Sequence, residues 1–265
     1  MIKFEKTEVV GWGPAIRGMR NPKNSWDRSD SYFSEYVDDD GQTVKPLCIN
    51  NDITTDWMAI GENDHKLMMS LANGGPVHAK YRRFIVVYVD ITAPLYWWKE
   101  ADTYRIGVEK NSCSTMHKIH SKPFEMEDFS NEDYTDKHFF QKIVNQLEKE
   151  RLNYINSHDK KFWRNMIQLL PSSYNQKRTV MLSYEALANI YEYRRFHKLD
   201  EWREMCKWID TLPYSEIITK PILEQSKKVD VDEIFALIEK VKEDNPYIKT
   251  ELLSEFEDRL REKVK

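Results

Sequence analysis

The sequence predicts a domain of class α+β, and three features of the chain predict it. Residues 84–91 (FIVVYVDI) are β-branched and aromatic, which is typical of a strand buried on both faces of a sheet. Within residues 138–155, apolar side chains recur at i, i+3, i+4 and i+7, which predicts an amphipathic helix. A similar stripe over residues 184–209 predicts one long helix or a broken pair of helices.

Shorter elements are predicted between these three. Residues 64–72 favour a helix that ends at Gly74-Gly75-Pro76, and residues 161–170 favour a helix that ends at Pro171. Residues 172–182 are consistent with a short strand. The chain after Ala93-Pro94 favours a helix, because proline suits the first helical position. The residues that share one face of this helix are Trp97, Glu100, Ala101 and Tyr104.

Composition suggests three regions along the chain. Residues 1–57 are rich in Gly, Asn, Asp and Ser and predict loops with short strands, residues 58–213 form the core, and residues 214–265 form a charged helical extension. The first region carries a basic cluster among Gly and Asn residues: Arg17, Arg20, Lys23 and Arg28. These cations can either wrap an anion or form a solvated basic loop.

Charge and hydropathy exclude several classes of protein. The 265 residues carry a net charge of -4, so no general basic field attracts a nucleic acid polymer. No apolar run approaches the roughly 20 residues of a membrane-spanning helix, and the first residues lack a signal-peptide core. We therefore expect a cytoplasmic protein. The three separated cysteines argue against disulfides and zinc, and the pair His117 and His120 lacks a third ligand, so we expect no metal.

Polar residues on the predicted helix 184–209 are candidates for ligand binding. Asn189, Tyr193 and His197 are spaced four apart, and Arg194 falls beside them. Since Arg194 and Arg195 are adjacent, they point to different sides of a helix. An arginine can bind a phosphate or a pyrimidine carbonyl through two parallel hydrogen bonds. The alternative is a surface arginine paired with a nearby acidic residue: Glu192, Asp200 or Glu201.

Three segments, in this order, resemble the flavin-dependent thymidylate synthases. Residues 64–78 match the family at Pro76 and His78, and residues 84–115 match it in the apolar strand, in Ala93-Pro94 and at Arg105. Residues 170–202 match the family at several positions: Leu170, Pro171, Leu187, Asn189, Arg194 and Trp202. The resemblance covers roughly residues 58–210. It implies helices packed around a central, mostly antiparallel sheet, with the C-terminal helical extension as an addition.

The resemblance also implies a reaction and a site. Family members transfer one carbon reductively to C5 of dUMP, using FAD, NADPH and methylenetetrahydrofolate, and they are homotetramers whose sites lie between subunits. By resemblance, Arg194 or Arg195 would be the catalytic arginine. The flavin would be contacted by His78, Arg105, Asn189 and His197. The pyrimidine nucleotide would be contacted by Glu100, Asn111, Ser112, Ser114 and Arg164.

The signature motif departs from the family in residues 111–115 (NSCST). Aligning Asn111 and Ser114 with the family places Ser112 at its glutamate and Met116 at its second arginine, and this alignment needs a one-residue insertion after Pro94. Without that insertion, Asn111 replaces the glutamate and Cys113 replaces the serine. The segment can bind an anion or simply cap a helix. Three hypotheses follow: a divergent synthase, an inactive homologue that binds a nucleotide or signalling nucleotide, and an interaction protein that uses the C-terminal helices.

Overall fold

The computed structural model describes residues 2–33 and 58–227, four short strands between them, and positions 238 and 240. Its strands are β1 Lys3–Val10, β2 Tyr32–Phe33, β3 Tyr36–Val37, β4 Thr43–Val44, β5 Cys48–Asn50, β6 Ile53–Thr55, β7 Met58–Ala59, β8 Val86–Pro94, β9 Val108–Ser112 and β10 Asn175–Ser183. Its α-helices are α1 Trp12–Arg20, α2 Glu62–Asn73, α3 Leu95–Ala101, α4 Thr115–Lys118, α5 Lys137–Ser157, α6 Lys160–Leu169, α7 Tyr184–Arg194, α8 Asp200–Asp210 and α9 Glu216–Lys227.

One sheet of six strands has the order β5-β6-β1-β8-β10-β9. The pairings of β1 with β8, of β8 with β10 and of β10 with β9 are antiparallel, whereas β1 and β6 run parallel. The β8–β10 ladder is continuous from Asn175↔Pro94 to Ser183↔Val86. The predicted α+β class, with a central and mostly antiparallel sheet, is therefore confirmed.

Strand β8 has one covered face and one open face. Val87, Val89 and Ile91 are buried, whereas Tyr88 between them is 42% exposed. The prediction that this strand is buried on both faces is wrong, because an antiparallel sheet needs cover on only one side. On the open side, the Thr179 hydroxyl donates to the Asp90 carboxylate at 2.6 Å.

The covered face of the sheet packs against α3, α7 and α8. Ile91, Val180 and Leu182 of the sheet face apolar side chains of these helices: Trp97, Trp98, Ala101, Ile190, Trp202 and Met205. Trp97 and Trp202 are each at most 1% exposed, and their ring centroids lie 4.8 Å apart. This packing brings the C-terminal ends of α3 and α7 together with the start of α8.

Helices α5 and α6 form a second layer with its own apolar cluster. The cluster joins buried residues of both helices to the segment before them: Ile119, Phe124, Phe129, Phe140, Val144, Leu147 and Met166. Asp136 and Asp159 cap the two helices, because each carboxylate accepts a backbone N–H of the first turn. The predicted helices over 138–155 and 161–170 are thus confirmed, as is the helix predicted over 64–72.

The stripe over residues 184–209 is a broken pair rather than one helix. Helix α7 ends at Arg194, and α8 begins at Asp200. The predicted strand over 172–182 is confirmed as β10, whose last residue, Ser183, caps α7 by accepting the Ala186 N–H.

The N-terminal region holds more regular structure than its composition predicts. Strand β1 spans eight residues of the main sheet, and α1 follows directly. Helix α1 tolerates Pro14 because that residue lies in its first turn. Gly11 joins the two elements at φ +97°, where a Cβ atom would lie 2.0 Å from the Phe84 carbonyl oxygen, so a side chain cannot be accommodated there.

The chain divides into two compact units, residues 1–219 and 220–265. The predicted region boundaries at 57/58 and 213/214 remain predictions. The two helices predicted from the apolar positions beyond residue 230 lie outside the described residues, apart from positions 238 and 240. Among the described helices, none combines the length and the apolar character that crossing a membrane requires.

Candidate functional site

The ends of α3 and α7 hold a cluster of polar side chains around Glu100. The Glu100 carboxylate oxygen Oε2 accepts from Nη1 of Arg194 at 2.8 Å and from Nε1 of Trp202 at 3.0 Å. The Nε of Arg194 also donates to the Tyr104 hydroxyl oxygen at 2.9 Å. Three N–H donors and two acceptor oxygens thus fix the guanidinium and the carboxylate relative to each other.

Aromatic rings enclose the Arg194 guanidinium. Its central carbon lies 4.6 Å from the ring centroid of Trp202 and 5.6 Å from that of Tyr104. Stacking of this kind restricts the guanidinium plane and adds attraction between the cation and the ring faces. The Arg194 side chain is 19% exposed, so a ligand can reach it without moving the packed core.

His197 completes the cluster. Its Nδ1 accepts the Leu199 backbone N–H at 3.2 Å, and its Nε2 lies 3.5 Å from Oε2 of Glu100. Because Nδ1 accepts, the hydrogen of the neutral ring is on Nε2 and faces the carboxylate. Glu100, Arg194 and His197, three residues predicted for a nucleotide and flavin site, therefore lie together.

Arg195 points away from this cluster. Its neighbours include Tyr191 and Cys206. Burial raises the pKa of the Tyr191 hydroxyl and of the Cys206 thiol, and the positive charge of Arg195 opposes both shifts. The pKa of the Cys206 thiol rises to about 12, so that thiol is protonated and unreactive. Of the two adjacent arginines, Arg194 is the one that the fold brings to the other predicted site residues.

A second ionic group borders the cluster at the end of α3. Asp102 accepts from Nη1 of Arg178 at 2.8 Å, and its carboxylate lies 3.4 Å from Nζ of Lys110. Lys110 also donates to the carbonyl oxygens of Ala101 and Tyr104, which caps the helix end. Burial lowers the pKa of the Lys110 ammonium, although the Asp102 carboxylate opposes that shift.

A groove of about 1120 Å³ lies elsewhere, between the loop after α1 and the segment after α2. Cationic groups in its lining come from Lys23, Arg28 and Lys80, and His78 lies beside them. Apolar contacts come from side chains that solvent reaches, including Val77 at 71% and Phe84 at 51% exposure. The groove therefore offers both charge and apolar surface to one ligand.

A buried carboxylate holds the loop that forms one wall of the groove. Asp64 is fully buried and accepts from Nε of Arg20 at 2.6 Å. It also accepts from the hydroxyls of Ser29 and Ser31 and from the backbone N–H groups of Asp30 and Ser31. Burial raises the pKa of Asp64, but hydrogen bonds from Ser31, Ser29 and Arg20 outweigh it, so the net shift is downward.

Acidification is expected to remove the stabilisation that Asp64 provides. Because its pKa is lowered in the folded state, its contribution is complete above the unfolded value of about 3.9 and is lost as the pH falls through the folded value. Urea unfolding at a series of pH values from 7 to 3 measures this. Below about pH 4 the stability of the wild type should fall more steeply than that of Asp64→Asn. Equal slopes would contradict the assignment.

The other predicted site residues lie apart from the cluster. His78 lines the groove, and Asn189 is exposed on α7. Arg105 and Arg164 are exposed. Asn111 and Ser112 are exposed on β9, where they pair with β10. The Ser114 hydroxyl accepts the His117 backbone N–H as the cap of α4.

Some residues of these sites were not among the predicted ones. Tyr104 and Trp202 form hydrogen bonds to the Glu100–Arg194 pair, and Asp64 holds the loop that forms one wall of the groove. The sequence carried a signal for Tyr104, since it lies four residues after Glu100 on the same predicted face. It carried none for Asp64, whose partner Arg20 is 44 residues away. Among the described residues, no group of three His, Cys, Asp or Glu side chains is arranged to hold a metal ion.

Solved structures share this fold. Thymidylate synthase X (ThyX) from Helicobacter pylori with FAD and dUMP matches with a TM-score of 0.60 and 15% identity, over 83% of this chain and 99% of that chain. A second ThyX complex from Helicobacter pylori with FAD and dUMP has a TM-score of 0.55 and 16% identity, over 82% and 98%. The UMP/dUMP methylase PolB from Streptomyces cacaoi bound with 5-Br dUMP has a TM-score of 0.52 and 13% identity, over 83% and 95%.

The likeness is one of fold. No protein-family model matches the chain, and no curated protein matches it in sequence. The predicted thymidylate-synthase-like fold is confirmed by the three structural neighbours, which this chain resembles over most of its length.

Proposed function

We propose that this protein binds a pyrimidine nucleotide, dUMP or a variant of it, and transfers one carbon reductively to C5 of the base. The shared fold supports this, because neighbours with that fold are ThyX complexes with FAD and dUMP and a UMP/dUMP methylase. One observation within the chain carries the proposal: the Arg194 guanidinium is held by Glu100, Tyr104 and Trp202 in a partly exposed position.

Arg194 is the group that would hold and polarise the base. Its Nε and Nη1 are engaged by Tyr104 and Glu100, which leaves Nη2 as the nitrogen that neither partner occupies. A fixed cation beside a pyrimidine carbonyl oxygen stabilises the enolate form of the base, in which that oxygen carries negative charge and C5 is nucleophilic. In this proposal Glu100 and Trp202 are positioning residues, since they orient the guanidinium.

The groove fits the flavin of this proposal. A dinucleotide carries two phosphates and two ring systems, and the groove offers cations and apolar side chains within about 1120 Å³. Lys23, Arg28 and Lys80 would hold the phosphates, and Phe84 would pack on a ring. When bound, the flavin would supply a hydride from its reduced form, NADPH would restore that reduced form, and methylenetetrahydrofolate would supply the carbon.

We also propose that the protein acts as a cytoplasmic homotetramer. His78 lines the groove, whereas Asn189 and His197 do not. A flavin that contacts all three must extend beyond the groove, and in this proposal different chains contribute these contacts. Sites built between subunits would therefore unite the groove of one chain with the Arg194 cluster of another. Sedimentation analysis gives the assembly directly.

Flavin retention is the first test. Purified protein incubated with FAD and desalted is expected to keep flavin absorbance and to oxidise NADPH when dUMP and methylenetetrahydrofolate are present. His78→Ala should retain less flavin than wild type, because His78 lines the groove. The matched control is His138→Ala, which alters an exposed histidine on α5 and should retain flavin normally. A protein that stays colourless after incubation with FAD and oxidises no NADPH would contradict the catalytic proposal.

A second candidate is nucleotide capture without turnover. It is favoured by the segment where the family carries charged groups, since the Ser114 hydroxyl is engaged as a helix cap and Ser112 and Met116 are uncharged. Thermal denaturation with a panel of nucleotides and folates distinguishes the two. Stabilisation by a nucleotide without flavin binding would support capture, whereas no stabilisation across the panel would exclude both candidates.

A further inference from the structure

A pocket of about 530 Å³ lies between α3, α5 and α8 and shares no lining residue with the groove. Its walls include the loops that precede α5 and β10. It is lined by Tyr96, Ser130, Asn131, Glu132, Asp133, Tyr134, Phe140, Ile143, Pro171, Ser172, Ser173 and Glu201. Three of these residues are acidic, and none is Lys, Arg or His. The lining residues that the structure describes therefore carry a net charge of about -3 when all three carboxylates are ionised.

Glu201 is the most buried of the three carboxylates. It is 9% exposed, and its hydrogen-bond partner is the uncharged hydroxyl of Tyr96. In the part of the chain that the structure describes, no cation forms an ion pair with it. Buried carboxylates are normally paired with a cation. Its position in the first turn of α8 favours negative charge, which explains how the fold tolerates it.

The negative charge of the pocket affects the pKa of the Tyr96 hydroxyl. Burial raises the pKa of the Tyr96 hydroxyl well above its ordinary range, and the hydrogen bond to Glu201 raises it further. The charges of Glu132 and Asp133 act in the same direction. All three carboxylates therefore contribute to a negative electrostatic potential at the pocket wall, which attracts a cation. The Lys137 ammonium, which donates to the Glu132 carbonyl oxygen at 3.0 Å, offsets part of the charge of Glu132, so Glu201 and Asp133 supply most of this potential.

Other features of the lining suit an organic cation. Tyr96, Tyr134 and Phe140 supply aromatic surface, and aromatic rings attract ammonium and guanidinium groups. The Ser173 hydroxyl oxygen is buried and has no hydrogen-bond partner among the described residues, so it can accept from a ligand N–H. The carboxylates are not arranged as a metal site within those residues.

We propose that this pocket binds a small organic cation, an alkylammonium or guanidinium compound, with Glu201 as its main anionic contact. The cation supplies the countercharge that Glu201 lacks within the described chain and donates to the Ser173 hydroxyl. Its alkyl part lies against the aromatic side chains. This site is independent of the proposed nucleotide and flavin sites.

Isothermal titration with 1,4-diaminobutane and with agmatine tests the site in the full-length protein. Both amines are expected to bind saturably at one site per chain, whereas 1,4-butanediol, which has the same length and no charge, should not bind. Glu201→Gln is expected to weaken amine binding at least tenfold. The matched control is Glu204→Gln, since Glu204 is exposed on the same helix and lies outside the pocket lining; its affinity should stay within twofold of wild type.

The proposal is overturned by either of two results: no saturable binding of either amine, or equal weakening in Glu201→Gln and Glu204→Gln, which would indicate general attraction to an acidic surface. Tyr134→Leu gives a second measurement if Glu201→Gln fails to fold, because Tyr134 is 43% exposed and its loss spares the core. That variant should bind amines several-fold more weakly, and unchanged affinity would count against the site.

Discussion

Asp64→Asn is expected to lower the free energy of unfolding by about 3 to 5 kcal/mol, the usual cost of breaking a buried ion pair by removing one partner. The substitution leaves the Arg20 guanidinium, which is 4% exposed, without its carboxylate. It also weakens the bonds that Ser29, Ser31 and the backbone make to residue 64. Urea denaturation followed by circular dichroism measures the change.

The matched control is Asp27→Asn, in the same loop. Asp27 is exposed, so its substitution should change the free energy of unfolding by no more than about 0.5 kcal/mol. The double variant Arg20→Met with Asp64→Asn should cost less than the sum of its single substitutions, since neither buried partner is then left alone. Similar losses for the two aspartate variants would contradict the role given to Asp64.

Asp64→Asn is expected to weaken ligand binding as well as stability. The loop that Asp64 holds carries Lys23 and Arg28, two of the cations of the groove. If the groove takes the flavin, Asp64→Asn should lose flavin under conditions where most of the protein remains folded. Asp27 lines the groove as well, but its carboxylate repels phosphate, so Asp27→Asn should retain flavin at least as well as the wild type.

The second large effect is expected at Arg194. Arg194→Met should weaken dUMP binding by about 10- to 100-fold, because hydrogen bonds to a charged donor contribute about 1.5 to 3 kcal/mol. If the protein turns over, kcat/KM should fall by about 100- to 1000-fold, the typical effect of removing one group that stabilises a developing oxyanion. Nucleotide titration by calorimetry and single-turnover kinetics measure the two quantities.

Two further arginine variants make the Arg194 test specific. Arg83→Met removes an exposed arginine and should leave dUMP affinity unchanged. Arg194→Lys keeps the charge but cannot donate to Tyr104 and Glu100 in the same planar geometry, so it should give an intermediate affinity. If Arg194→Met and Arg83→Met bind dUMP equally well, the nucleotide does not lie at this cluster.

Local sequence patterns predicted the helices and strands whose apolar residues recur at a regular spacing. The stripe of Tyr184, Leu187, Ala188 and Tyr191 is buried as its spacing indicates. Adjacency alone predicted that Arg194 and Arg195 face different sides. It could not say which faces the site, because that depends on Glu100, which lies 94 residues away in the sequence. Tertiary packing determines which of the two arginines faces the site.

Helix α1 was not predicted, although its apolar residues recur at helical spacing. Trp12, Ala15, Ile16 and Met19 follow helical spacing and are all buried. Glycines and Pro14 obscured the pattern, because these residues usually mark loops. The proline is harmless in the first turn, and the packing of the apolar face outweighs the weak helix preference of the glycines.

The strand order of the sheet has a consequence for how the chain is made. Strand β10 is the last strand along the described chain, yet it lies between β8 and β9. During synthesis from the N-terminus, β8 can pair with β1 early, but its other edge stays open until residues 175–183 emerge. Within the described sheet β9 pairs with β10 alone, so it too must wait. Open edges of this kind recruit other chains, which makes truncation before β10 a direct route to aggregation.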